Sequence, residues 1–222
     1  MNENILEFDK VSYGYETRKN ILKDASYQFK TGVFYTIVGP SGSGKTTTLS
    51  LAGALDKPNE GVINFEGTDI KKIGYTNYRK NKVALVFQSY NLLNYMTALE
   101  NVMLGMDISG SNKGAKKESA IKLLKDVGLN DDEIKRRVMR LSGGQQQRVA
   151  IARALSGDAK IILADEPTGN LDKETSKEII NIFKKLSSEH NKCVIVVTHS
   201  TEVSKEADVV LEIEKGKVVE RV

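Results

Sequence analysis

Three short stretches of the 222-residue chain carry residue types at spacings that suit phosphate chemistry. "GPSGSGKT", from Gly39 to Thr46, fits G-x-x-x-x-G-K-[ST]. Glycines let backbone N–H groups curl inward around phosphate oxygens, and the helix that begins beyond adds a partial positive charge. Gly39, Pro40, Ser41, Gly42, Ser43, Gly44 and Thr47 form the expected cradle. Lys45 is placed to reach the β- and γ-phosphates of a nucleotide, and the Thr46 hydroxyl to ligate Mg²⁺, a hard cation that prefers oxygen.

The second stretch, "IILADEPTGNLD" (161–172), is an apolar strand that ends in two acids. Asp165 suits Mg²⁺ held through water. Glu166 suits the orientation or deprotonation of an attacking water, the positioning role in phosphoryl transfer. "VVTHS" repeats the design and delivers His199 to the same edge, where open α/β sheets bind ligands and where it can touch a γ-phosphate. Gln88 ends "VALVFQ"; its amide oxygen suits Mg²⁺ or a positioned water.

The third stretch is "LSGGQ" (141–145). Ser142 and Gln145 form a capping box at the start of a helix. Gly143 and Gly144 lie between them, where Ala would hold a helix better by about 1 kcal/mol each. A second anion-binding helix start is redundant if it faces the same phosphates from the same chain. The economical reading is that Ser142, Gly143, Gly144 and Gln145 face the nucleotide of another copy. Two chains packed head to tail would then sandwich two ATP molecules across an isologous interface.

The elements that must position these residues alternate. "NILEFDKVSYGY", the two runs of "DASYQFKTGVFYTIVG", "VINFEG", "VALVFQ", "KIILAD", "CVIVVTH" and "DVVLEIEKG" read as strands. Helices are expected from Lys45 through "TTTLSLAGAL", over "DKETSKEIINIFKKLSSEH" and over "TEVSKEA", with a turn at Pro58 and Gly61. Between Ser89 and Ser156 helical periods dominate and no strand is expected; "AIKLLKDVGL" places Ile121, Leu124 and Val127 on one face. The expected architecture is α/β: a mostly parallel sheet core, an N-terminal antiparallel β portion and an inserted α-helical lobe. Residues 1–88 and 157–222 would form the body and 89–156 the lobe of one domain.

Composition narrows the function classes. Thirty-three cationic residues against 29 acidic give a net charge of +4, too mild to argue for nucleic acid. One cysteine, Cys193, cannot form an internal disulfide and reads as a small apolar filler in a reducing compartment. Neither a signal peptide nor an apolar run near the roughly 20 residues of a membrane span is present, so direct membrane insertion is not expected. Any membrane role must come through a partner.

Taken in order along the chain, "GPSGSGKT", Gln88, "LSGGQ", "ILADE", "NLD" and His199 resemble the nucleotide-binding subunit of ABC transporters, and the match covers essentially the whole chain. The resemblance implies a cytoplasmic ATPase, peripheral on the inner face of the membrane, that dimerises with ATP and Mg²⁺ and drives a separate integral membrane permease. It implies that Tyr15 stacks on adenine, with Tyr13 left open, and that Asp172 belongs to the loop crossing the dimer interface. "ADEPTGNLD" and the compact length resemble the branch of macrolide exporters, lipoprotein-release systems and antimicrobial-peptide resistance transporters. A cell-division transporter-like ATPase is the alternative relative. In "SYNLLNYMTALENV" (89–102), where family members dock a cytoplasmic helix of the membrane subunit, Leu92, Leu93 and Leu99 read as core and Tyr90, Tyr95 and Met96 as contacts. Soluble relatives that act on DNA carry a long coiled coil between the positions of Gln88 and Ser142. Here residues 89–141 hold no sustained heptads.

Overall fold

The computed structural model describes residues 3–15, 21–111 and 115–221. Its centre is a six-stranded sheet. Phe34–Val38 (β3), Val83–Phe87 (β6), Ile161–Asp165 (β7) and Cys193–Val197 (β8) are short apolar runs. With both faces covered, every residue on such a strand can be hydrophobic. Val209–Glu214 (β9) continues the parallel set, and Lys217–Glu220 (β10) closes it antiparallel, in the order β10-β9-β3-β8-β7-β6. Register makes the carboxyl ends level: Phe87 lies opposite Asp165, and Asp165 opposite Val197. The residues that follow these strands therefore leave the sheet at one edge.

A second, antiparallel sheet is built from Asn4–Tyr13 (β1), Leu22–Lys30 (β2), Glu60–Phe65 (β4) and Thr68–Asp69 (β5), in the order β2-β1-β4-β5. One apolar core lies between the two sheets and includes Phe8, Phe29, Tyr35 and Ile63. A second covers the other face of the parallel sheet. It runs without a break from Phe34 and Val86 into helices Ala98–Ser109 (α4), Lys116–Asp126 (α5), Asp131–Lys135 (α6), Gly143–Ala154 (α7) and Lys173–Ser188 (α8). Cys193 is buried in the first core, and burial pushes its thiol pKa up. It is a filler, as its setting in the sequence implies.

Several local expectations are corrected. The helix after the phosphate-type loop, Lys45–Ala52 (α1), stops short of Leu55, because Gly53 closes it and Ala54 turns left-handed at φ 53. Gly61 is not in a turn. It lies inside β4 at φ 81, where an added Cβ would come within 2.3 Å of the Lys10 carbonyl oxygen. Two short helices, Ile70–Ile73 (α2) and Tyr75–Asn81 (α3), and strand β10 had no signal in the sequence. The helices are too brief and polar to show a period, and β10 is four residues long. Among the described residues of 89–156 there is no strand, only an isolated bridge between Thr97 and Arg137. Helix α5 buries Ala120 and Leu124 and ends ahead of Gly128, which adopts φ 90.

Candidate functional site

The level strand ends open onto a cavity of about 1160 Å³. Ser41, Gly42, Ser43 and Gly44 line it from the loop between β3 and α1, and Lys45, Thr46 and Thr47 from the first turn of α1. Gln88 reaches it from β6, Asp165 and Glu166 from β7, and His199 from β8. Gly39 and Pro40 do not line it. Their carbonyl oxygens accept hydrogen bonds from Lys45 Nζ at 2.8 and 3.0 Å, so the buried ammonium ties the loop into a ring. Gly44 shows why the loop is glycine-rich: it stands at φ 109, and a Cβ there would lie 2.7 Å from Ile21 Cγ2. The Thr48 hydroxyl donates to the Gly44 carbonyl, anchoring the first turn of α1.

The acids are in unlike surroundings. Burial pushes the Asp165 pKa up, and the neighbouring Glu166 charge adds to it, while the Thr46 hydroxyl and Lys45 ammonium pull it back. Glu166 has positive φ, 45, a left-handed conformation that costs an ordinary side chain. Its Oε2 accepts weak hydrogen bonds from the Thr198 hydroxyl at 3.3 Å and the His199 N–H at 3.4 Å. Its Oε1 is buried and has no hydrogen-bond partner. The Gln88 amide donates from Nε2 to Asn170 Oδ1 at 3.2 Å, which turns its amide oxygen the other way.

Thr46, Gln88 and Asp165 offer an all-oxygen donor set, the chemistry Mg²⁺ selects. Among the described residues no group of three or more His, Cys, Asp and Glu stands ready to hold a metal alone. A cation here must draw ligands from a bound phosphate, as Mg²⁺ commonly does. Ser43 Oγ of the loop is buried without a partner and can donate to a phosphate, while Glu166 Oε1, also without a partner, can accept only from a donor such as water.

Tyr15 lines the cavity and is half exposed, whereas Tyr13 is buried edge-on against it, 5.3 Å between ring centroids. Burial, with the Asp56 charge next, pushes Tyr13 up to about 12. The sequence did not point to Lys23 and Lys215, which also line the cavity. They come from the strand that follows Tyr15 and from the β9–β10 turn, and only the fold brings those together.

Ser142, Gly143, Gly144 and Gln145 do not line this cavity. The capping box forms as expected: Gln145 N–H donates to Ser142 Oγ, and Ser142 N–H to Gln145 Oε1 at 2.8 Å. Gln145 Nε2 then donates to Glu133 at 2.7 Å, so both ends of its amide are engaged within the chain. The glycines also have an internal reason. A Cβ on Gly144 would lie 2.3 Å from Thr175 Cγ2 of α8, and one on Gly143 would lie 3.0 Å from the Tyr90 hydroxyl. Close packing against α8 therefore favours glycine at 144 before any ligand is considered, and the Gln88 loop crowds 143 less tightly. The helix start itself remains open, with Ser142 exposed.

A family described as "ABC transporter" matches residues 22–169, two thirds of the chain. The chain belongs to the ABC transporter family. An uncharacterized ABC transporter ATP-binding protein, YclH of Bacillus subtilis, is 49% identical over 213 residues, 96% of this chain and 94% of that one. The lipoprotein-releasing system ATP-binding protein LolD of Aquifex aeolicus is 44% identical over 216 residues, 95% of this chain and 92% of that one. Among solved structures, the dimeric post-hydrolysis state of the ATP-binding cassette MJ0796 bound to ADP and Pi superposes with a TM-score of 0.88. It is 36% identical, and 98% of each chain is covered. This chain is thus the ATP-binding, ATP-hydrolysing subunit of an ABC transporter, in the branch its motifs resemble, and the described residues contain no helix long and apolar enough to cross a membrane.

Proposed function

We propose that this ABC subunit closes as a head-to-tail dimer on two ATP molecules and drives a separate membrane protein of the lipoprotein-release and macrolide-exporter branch. The observation that carries the proposal is the division of the phosphate-binding groups. The loop, Gln88, the acids and His199 converge on one cavity, while the open, capped start of α7 faces elsewhere on the same chain. A cassette of this kind is completed only by a second copy. MJ0796, whose solved form is a dimer bound to ADP and Pi, supports this reading.

In the proposed roles, Lys45 and the loop N–H groups from Gly39 to Thr47 hold the triphosphate, and Tyr15 packs on the base. Thr46, Gln88 and Asp165 would hold Mg²⁺, which when bound neutralises charge on the β- and γ-phosphates. Glu166 keeps Oε1 free of internal partners, ready to accept a hydrogen bond from the attacking water. His199 stands beside it to meet the γ-phosphate. Ser142, Gly143, Gly144 and Gln145 present α7's positive end to the partner's γ-phosphate, so hydrolysis loosens the sandwich.

Residues 89–156 act as the moving lobe and carry the docking face for the membrane protein. Tyr95, 67% exposed, marks that face, and Met96 beside it in the chain is half-buried. Tyr90 is turned inward to Gly143, and Leu92 and Leu99 pack on the core. The subunit is held at the inner face of the membrane by this contact alone. Co-expression with a membrane subunit of the lipoprotein-release or macrolide-exporter type tests the assignment. Co-purification lost on Tyr95→Asp supports it, and co-purification unaffected by that change contradicts it.

A further inference from the structure

Two consecutive non-glycine residues, Tyr90 at φ 57 and Asn91 at φ 51, follow Gln88 in the left-handed region. Asparagine enters that region more readily than most residues, but a bulky residue such as Tyr90 rarely sits there and persists only when surrounding groups hold it. The holder is visible. Arg153, near the end of α7, donates from Nη1 to the Asn91 carbonyl oxygen at 2.5 Å and from Nη2 to the Tyr90 carbonyl oxygen at 3.1 Å. A planar guanidinium suits two adjacent carbonyls as no other side chain does. Burial disfavours its charge and lowers its pKa, so the contact is kept against a desolvation cost. Room for the arginine stem comes from Gly105 of α4, where a Cβ would lie 2.9 Å from Arg153 Cγ.

The other end of α7 meets the same turn. The Tyr90 hydroxyl lies where a Cβ on Gly143 would come within 3.0 Å. One helix therefore touches the Gln88 loop at both ends, through its first residue and through Arg153.

We infer that Arg153 is a positioning residue for ATP hydrolysis: it clamps the Tyr90–Asn91 turn to α7, so that Gln88 and the Ser142–Gly144 helix start move as one piece. The inference rests on the role proposed for Gln88. When the lobe rotates to present its helix start to a partner's nucleotide, the clamp carries Gln88 with it toward or away from the cavity. Weakening the clamp leaves the nucleotide cradle intact and misplaces Gln88. The effect falls on turnover rather than on binding.

Three variants of the full chain test this by steady-state ATPase kinetics, fluorescent-nucleotide binding and thermal melting. Arg153→Lys, which keeps the charge but not the fork, should lower kcat on the order of tenfold with nucleotide affinity within about twofold of wild type. Asn91→Val sits on the surface and leaves the arginine in place, but a β-branched residue resists left-handed backbone. It should lower kcat in the same way. Adding Asn91→Gly to Arg153→Lys should restore much of kcat, because glycine holds the turn without a clamp. Wild-type kcat in Asn91→Val, or no recovery in the double variant, would overturn the inference whatever the stability of Arg153→Lys. A parallel Gln88→Ala measurement separates the two readings. Low kcat there with normal kcat in Asn91→Val refutes the clamp alone, and normal kcat in Gln88→Ala refutes the role of Gln88 itself.

Discussion

Glu166 Oε1 lies 3.5 Å from Nε2 of His199 and makes no hydrogen bond, although it is buried. The pair is too far apart for a good hydrogen bond and close enough for both groups to reach one water in the cavity. An unpartnered buried carboxylate oxygen is costly in a resting protein. It is explained if the site is built for a ligand that arrives later. Glu166→Gln should keep ATP affinity within about twofold and lower kcat by about a hundredfold or more, read by phosphate release. Near-normal release would remove Glu166 from the chemistry.

Lys45 acts on the loop as well as on the ligand, because its ammonium bridges the Gly39 and Pro40 carbonyls. Lys45→Ala should weaken nucleotide binding by about a hundredfold in Kd, and should also loosen residues 39–44. Hydrogen exchange at those amides in the nucleotide-free protein checks the second effect. Unchanged exchange would mean that the bridge does not hold the loop.

Gly144 is a packing residue by the 2.3 Å approach to Thr175 Cγ2. Gly144→Ala should destabilise the chain by about 1–3 kcal/mol, a fall in Tm of roughly 2–4 °C for each kcal/mol at this size. Combining it with Thr175→Ser, which removes that methyl, should recover most of the loss. No recovery would place the strain elsewhere.

Asp172 caps α8 by accepting from the Thr175 N–H at 2.9 Å and from its hydroxyl at 2.7 Å. The Thr175 N–H foremost, then the hydroxyl, lowers the Asp172 pKa. A carboxylate lowered on folding stabilises the native state above its unfolded pKa of about 3.9, and that contribution is lost as pH falls through the lower folded value. Asp172→Ala should therefore melt below wild type at pH 6–8, with the gap narrowing under about pH 4. A gap that does not change with pH would show that the cap's charge contributes nothing.

Much of this site was legible in the sequence because its signals are local. The strand–glycine loop–helix context fixes where Lys45 and Thr46 must stand, and an apolar strand ending in two acids fixes Asp165 and Glu166. The capping box at Ser142 could be read from two residues three apart. What was not legible depends on distant segments meeting. Nothing near Gly144 in the chain announces Thr175, nor does anything near Asn91 announce Arg153, 62 residues on. The positive φ of Glu166 and of Tyr90 likewise leaves no trace in residue type, since neither is glycine or asparagine. Helices α2 and α3 escaped notice because each is shorter than two full apolar periods.

The most direct test is the mass of Glu166→Gln in solution with and without Mg-ATP, measured by light scattering on a sizing column. The account predicts a shift from the 24.5 kDa chain to twice that mass, 2 × 24.5 = 49 kDa, when ATP is present, and reversal of that shift by Ser142→Arg, which blocks the helix start. A monomer that binds ATP and never pairs, or a dimer indifferent to Ser142→Arg, would contradict it.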